Sequence, residues 1–114
     1  MGNTWYTDIE HFLDVDGYPA LDLPRPAERL AEYFGSIIEA VTGMEGNETM
    51  ETTGIRCRRR PGHRRCDGRI VAGIIEETPE AICWECPTCS DGGFISGWRG
   101  SVWDKTTKDR TPVE

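Results

Sequence analysis

The chain of 114 residues carries 20 acidic against 13 basic side chains, a formal charge of −7, and is 37% hydrophobic. This size and composition predict one small domain with a modest core, for which a structural metal would be a useful staple, and no stretch approaches the roughly 20 apolar residues of a membrane span. The start of the chain lacks a basic region followed by an apolar run, so a cytoplasmic protein is expected; five cysteines there point to metal rather than disulfides, and Asn47-Glu48-Thr49 has no meaning as a glycosylation acceptor.

In chain order, Thr7 to Glu10 reads as a capping box, with Ile9, Phe12 and Leu13 at helical spacing behind it. It predicts a short helix that Asp16-Gly17 and Pro19 end. Pro24 and Pro26 set up a stronger helix over 26–42, in which Leu30, Phe34, Ile37 and Val41 follow at steps of four, three and four. Tyr33 and Ile38 widen that stripe, which is expected to be core because a lone helix of this length must bury an apolar face to persist. Gly43 is expected to supply a left-handed C-cap. Residues 1–43 thus read as an acidic helical segment, and 44–53, polar and aperiodic, as a flexible linker.

A β module is predicted over 54–104, with strands at 55–58, 69–76, 81–86 and 94–98 and turns at Pro61-Gly62 and Thr78-Pro79. Alternation in the third strand puts Ile82, Trp84 and Cys86 on one face and Ala81, Cys83 and Glu85 on the other. Trp84, Phe94, Trp98 and Trp103 are expected to be mainly core, since so small a module has few aliphatic side chains to bury; a base-stacking platform is the competing reading. Residues 105–114 have almost nothing to bury and are expected to be a disordered tail.

Two cysteine clusters dominate the module. Cys86-Pro87-Thr88-Cys89 has the knuckle spacing in which a tight turn presents two thiolates to one tetrahedral ion, and backbone N–H groups of the following turn ease the thiolate charge. Cys57 and Cys66 form the looser partner, with His63 inside it as an alternative ligand in place of Cys57. The expected site is one structural zinc on Cys57, Cys66, Cys86 and Cys89; strand alternation turns Cys83 away, and four reduced, buried cysteines without metal is the competing reading. The resulting fold class is α+β, an N-terminal helical segment followed by a small antiparallel zinc-ribbon-like β module.

The pattern IRCRRRPG, then C-x-G-x-I at Cys66, Gly68 and Ile70, then IxWxCPxC, Gly93, Ile95, SGW and WD, resembles a family of small uncharacterised bacterial zinc-ribbon-like proteins. The likeness covers just under half of the chain, and the apolar helix ahead of it also resembles the family's front half. It implies the all-cysteine site and implies no activity.

Charge is segregated: residues 1–53 sum to −9 and 70–114 to −4, whereas 54–69 hold seven arginines and one aspartate, +6. Arg56, Arg58, Arg59, Arg60, Arg64, Arg65 and Arg69 therefore form the candidate binding surface, for a protein partner or for nucleic acid. The same arginines could instead pair with the chain's own acidic helix. The leading reading is a zinc-binding interaction protein, with a nucleic-acid-binding ribbon as the alternative and rubredoxin-like electron transfer as the weakest, because single-iron sites favour two matched CxxC knuckles. Neither catalysis nor a small-molecule substrate is expected, since a full thiolate set leaves the ion no open position.

Overall fold

The computed structural model describes residues 4–43, 50–58, 66–75 and 80–105. The two predicted turns, the ligand candidate His63, and Arg59, Arg60, Arg64 and Arg65 lie outside the described residues, as do most of the expected linker and tail. The architecture is α+β: one long helix, α1 (Arg25–Thr42), on a five-stranded mixed sheet of order β1-β5-β4-β3-β2. The strands are β1 (Thr4–Asp8), β2 (Glu51–Arg56), β3 (Arg69–Ile75), β4 (Ala81–Glu85) and β5 (Gly92–Ser96).

Three neighbours pair antiparallel, but β1 runs parallel to β5, from Thr4 opposite Gly92 to Asp8 opposite Ser96. The sheet is therefore mixed and draws on both ends of the chain. A strand stands where the sequence suggested only the approach to a helix. The helical turn that follows is a short 3-10 segment, Ile9–Phe12, capped by the Asp8 carboxylate, which accepts from the Glu10 N–H at 3.0 Å; the expected Thr7 capping box does not form. Thr7 is instead committed to β1.

Helix α1 buries the predicted stripe. Phe34, Ile37, Ile38 and Val41 are at most 5% exposed and pack with Ile70, Ile74, Ile82, Trp84 and Ile95 of the sheet. Gly35 lies in this face because the Trp103 ring rests against it, where a Cβ would collide with the indole. At the C-terminus Gly43 has φ −88°, a right-handed conformation, so the expected left-handed cap is corrected. The helix end is held by Thr42, whose hydroxyl donates to the Ile38 carbonyl at 2.7 Å and accepts from the Lys105 N–H at 3.0 Å. A side chain tied to the far end of the chain thus replaces the glycine device.

On β2 the register shifts between Thr52 and Arg56, and Gly54 takes φ +76°, the left-handed conformation that a glycine bulge uses. This strand begins inside the stretch expected to be linker. β5 begins at Gly92, two residues before the expected start, and Trp98, just beyond it, is 1% exposed. Trp84 and Trp98 belong to the core and Trp103 packs against it, whereas Phe94 faces the other side of the sheet, stacked on Tyr6 with ring centroids 5.4 Å apart. No helix among the described residues is long and apolar enough to cross a membrane.

Candidate metal centre

Cys57 directly follows β2, Cys66 precedes β3, and Cys86 and Cys89 occupy the turn between β4 and β5. The antiparallel pairing of β2 with β3 and of β3 with β4 brings these connections to one end of the sheet. The four Sγ atoms lie within 4.8 Å of one another, with Cys57–Cys89 and Cys66–Cys86 each at 3.7 Å. A tetrahedral thiolate-bound ion with metal–sulfur bonds of about 2.3 Å needs sulfur–sulfur edges near 3.8 Å, whereas a disulfide needs about 2.05 Å. The separations fit four ligands around one ion and exclude a bond between either pair. All five cysteines are free thiols.

The turn is shaped for this purpose. Ser90 accepts φ +64°, so the chain folds back and its N–H donates to the Cys86 carbonyl at 2.8 Å, while the Cys86 N–H donates to the Asp91 carbonyl at 2.7 Å. Burial alone would oppose a thiolate at Cys86, but the N–H groups of Cys89 and Thr88, with the neighbouring Cys66 and Cys89 thiols, outweigh it and pull the thiol below its ordinary value. At Cys89 burial wins and raises the thiol, the Asp91 N–H only partly offsetting it.

Gly68 explains the glycine two residues after Cys66. Its N–H donates to Cys66 Sγ at 3.3 Å, and a Cβ there would run into Cys86 Sγ and sit 2.8 Å from the Thr88 hydroxyl. Only a residue without a side chain lets the first cluster close on the second. Cys83 lies mid-strand opposite Phe94, with its thiol raised by burial and then by Glu85. It stands outside the four-sulfur group.

Three of the seven candidate arginines are described. Arg56 forms an ion pair with Asp67 at 3.0 Å, in which both side chains are largely exposed, a contact of small energetic weight. Arg58 lies 5.5 Å from the centroid of the Tyr33 ring, and Arg69 is exposed opposite Arg56. Tyr33 also donates its hydroxyl to the Arg56 carbonyl at 3.0 Å. Helix α1 thus holds the base of the arginine-bearing segment through an aromatic ring; among the described residues no carboxylate of the helix is recorded in an ion pair with it. Burial first, then the nearby Cys57 charge, pushes the Tyr33 phenol up to about 12, so it keeps the proton it donates.

Sequence reasoning missed a second feature beside the thiolates: an aromatic pocket bounded by Trp5 and Trp84, which is legible only once β1 is known to pair with β5. Compared with protein-family models, with curated proteins and with solved structures, the chain matches none.

Proposed function

We propose that the protein is a small zinc-ribbon-like interaction module in which one structural Zn2+ is held by Cys57, Cys66, Cys86 and Cys89. The observation that carries this reading is the four-sulfur cluster with two edges of 3.7 Å. Zinc is the preferred ion because it accepts four thiolates in tetrahedral geometry without redox demands. Iron in a rubredoxin-like site is less favoured, since the first pair of cysteines has no CxxC knuckle. Four thiolates saturate the ion, so it acts as a scaffold and not as a Lewis acid, and the protein is not an enzyme through this centre.

Zinc would tie both ends of the arginine-bearing stretch 58–65 to the sheet, since Cys57 and Cys66 flank it. Arginine pairs with carboxylates and with phosphates alike. The partner is an acidic protein surface or a nucleic acid. A pull-down of the intact zinc-loaded protein from lysate, with and without nuclease, tests the reading. A partner retained after nuclease supports the protein interaction, loss on nuclease supports nucleic acid, and no partner in either arm removes the interaction role.

A further inference from the structure

Across the helix-facing side of the sheet, Trp5 of β1, Gly93 of β5 and Trp84 of β4 form one row in register. Because the middle residue lacks a side chain, the two indoles flank a gap two strand spacings wide, about 9.5 Å. Gly93 is required for this: a Cβ there would strike the Trp5 carbonyl oxygen, so β1 could not approach. Leu30 and Phe34 of α1 lie over the gap and enclose a pocket of about 420 Å³. That is within the roughly 300–1,000 Å³ typical of ligand sites.

The rest of the lining has both signs of charge. Arg58 follows the ligand Cys57, and Asp91 lies two residues beyond Cys89. Trp5 Nε1–H donates to both Asp91 carboxylate oxygens at 3.3 Å, which fixes the indole at the rim of the cleft, where Trp5 is still 45% exposed. A simple cation would gain from the rings and Asp91 but meet Arg58. A free anion would gain from Arg58 and meet Asp91. An apolar side chain would use the rings and bring no anion to Arg58. A ligand with a flat ring and an anionic group uses the rings and Arg58, while Asp91 keeps the bond from Trp5.

We propose that this cleft binds one nucleotide unit, with its base stacked on Trp5 between the two indoles and its phosphate on Arg58. Stacking on an aromatic ring with a phosphate on arginine is the chemistry by which single strands are held, and a free nucleotide offers the same groups. The inference rests on the metal-scaffold reading, because the thiolate turn and Cys57 set the positions of Asp91 and Arg58.

The test is a tryptophan-fluorescence titration of the zinc-loaded full chain with adenosine monophosphate and, separately, with a short single-stranded adenylate RNA. Saturable quenching is expected. Trp5→Ala should weaken it roughly 5- to 150-fold, the worth of one stacked base, and Trp5→Phe should restore most of the loss. Arg58→Ala should weaken binding of the strand and reduce its log–log salt slope by about 0.7. Tighter binding of RNA than of the mononucleotide identifies a strand as the source, and equal binding identifies a free nucleotide; either supports the cleft. The proposal is overturned if neither probe binds at millimolar concentration, if Trp5→Ala and Arg58→Ala bind both probes as the parent does, or if an aromatic peptide quenches where nucleotides do not. Native mass spectrometry of each protein reports its zinc separately, so failure of the cleft is distinguishable from failure of the metal scaffold.

Discussion

The two ends of the sheet are closed by different means. At one end, Cys57, Cys66, Cys86 and Cys89 converge so that sulfur meets sulfur, Cys57–Cys89 and Cys66–Cys86 each at 3.7 Å. At the other, Trp98 is buried with the Arg99 guanidinium 4.7 Å from its ring centroid, and the fully buried Asp104 accepts from the Gly100 N–H at 2.8 Å. The Val102 N–H there reaches the Gly17 carbonyl at 2.8 Å, and the Thr42 hydroxyl approaches the Trp103 carbonyl at 3.3 Å. One end is completed by rings and hydrogen bonds that the chain itself supplies, whereas the other gathers four cysteines that could hold a metal ion. With the proposed zinc bound there, a domain of this size would divide its stability between a core and an ion.

The largest effects should arise at the thiolate end. Cys86→Ser with Cys89→Ser should abolish metal binding and melt the strands around it, because structural zinc in small modules contributes about 10–16 kcal/mol of apparent binding energy to folding. Circular dichroism and amide exchange of the variant would check this; protected amides in β3 and β4 would contradict it. Acid should act alike, since protons compete for the thiolates and metal affinity falls as pH falls.

The hydrogen-bonded end should respond to ordinary core chemistry and keep its metal. Trp98→Ala should cost about 3–5 kcal/mol by cavity formation, and Asp104→Ala about 1–3 kcal/mol by stranding donors such as the Gly100 N–H. Denaturant melts of the zinc-loaded proteins measure both. Zinc loss from either variant while it remains folded would mean that the two ends are not separable.

Tyr33 links the arginine-bearing segment to α1, so Tyr33→Phe should cost about 0.5–1 kcal/mol for one exposed hydrogen bond. Its phenol titrates at about 12 in the fold, above its ordinary value of 10.0. A raised value means that the folded state favours the protonated form. This contribution is complete below pH 10 and is lost as pH rises to about 12, and the Phe variant should lack that loss. Of similar size, Ser90→Gly should stabilise the turn by about 0.5–1 kcal/mol, because glycine adopts φ +64° without a Cβ penalty. Cys83→Ser should leave zinc stoichiometry unchanged, since its side chain is on the opposite face from Trp84.

The thiolate end was the more legible in sequence, because ligand spacing is local. CPTC states its own turn, whereas the close approach at Gly68 shows only once the partner sulfur of Cys86 is placed. The α1 stripe was legible for the same reason, its period being set within the helix. Non-local pairing was not legible. β1 meets β5 in parallel across more than eighty residues with no turn between them, so TWYTD read as the lead-in to a helix. Gly92 and Gly93 fell outside the predicted strand 94–98, although they are strand residues passed closely by the Trp84 and Trp5 carbonyls. Gly43 resembled a left-handed cap until Thr42 and Lys105 supplied another ending. The Trp5 pocket depends on all of these pairings and left no trace in any single stretch of sequence.

On the proposed reading the four sulfurs hold one ion and the cysteine end folds around it. Native mass spectrometry of the intact protein at neutral pH, paired with amide exchange before and after chelation, tests it most directly. One zinc per chain is expected, with protection of the Cys57 N–H, which donates to the Gly68 carbonyl, and of the 86–91 turn lost on chelation while Trp98 remains buried. A metal-free chain that keeps the same protection throughout would contradict it.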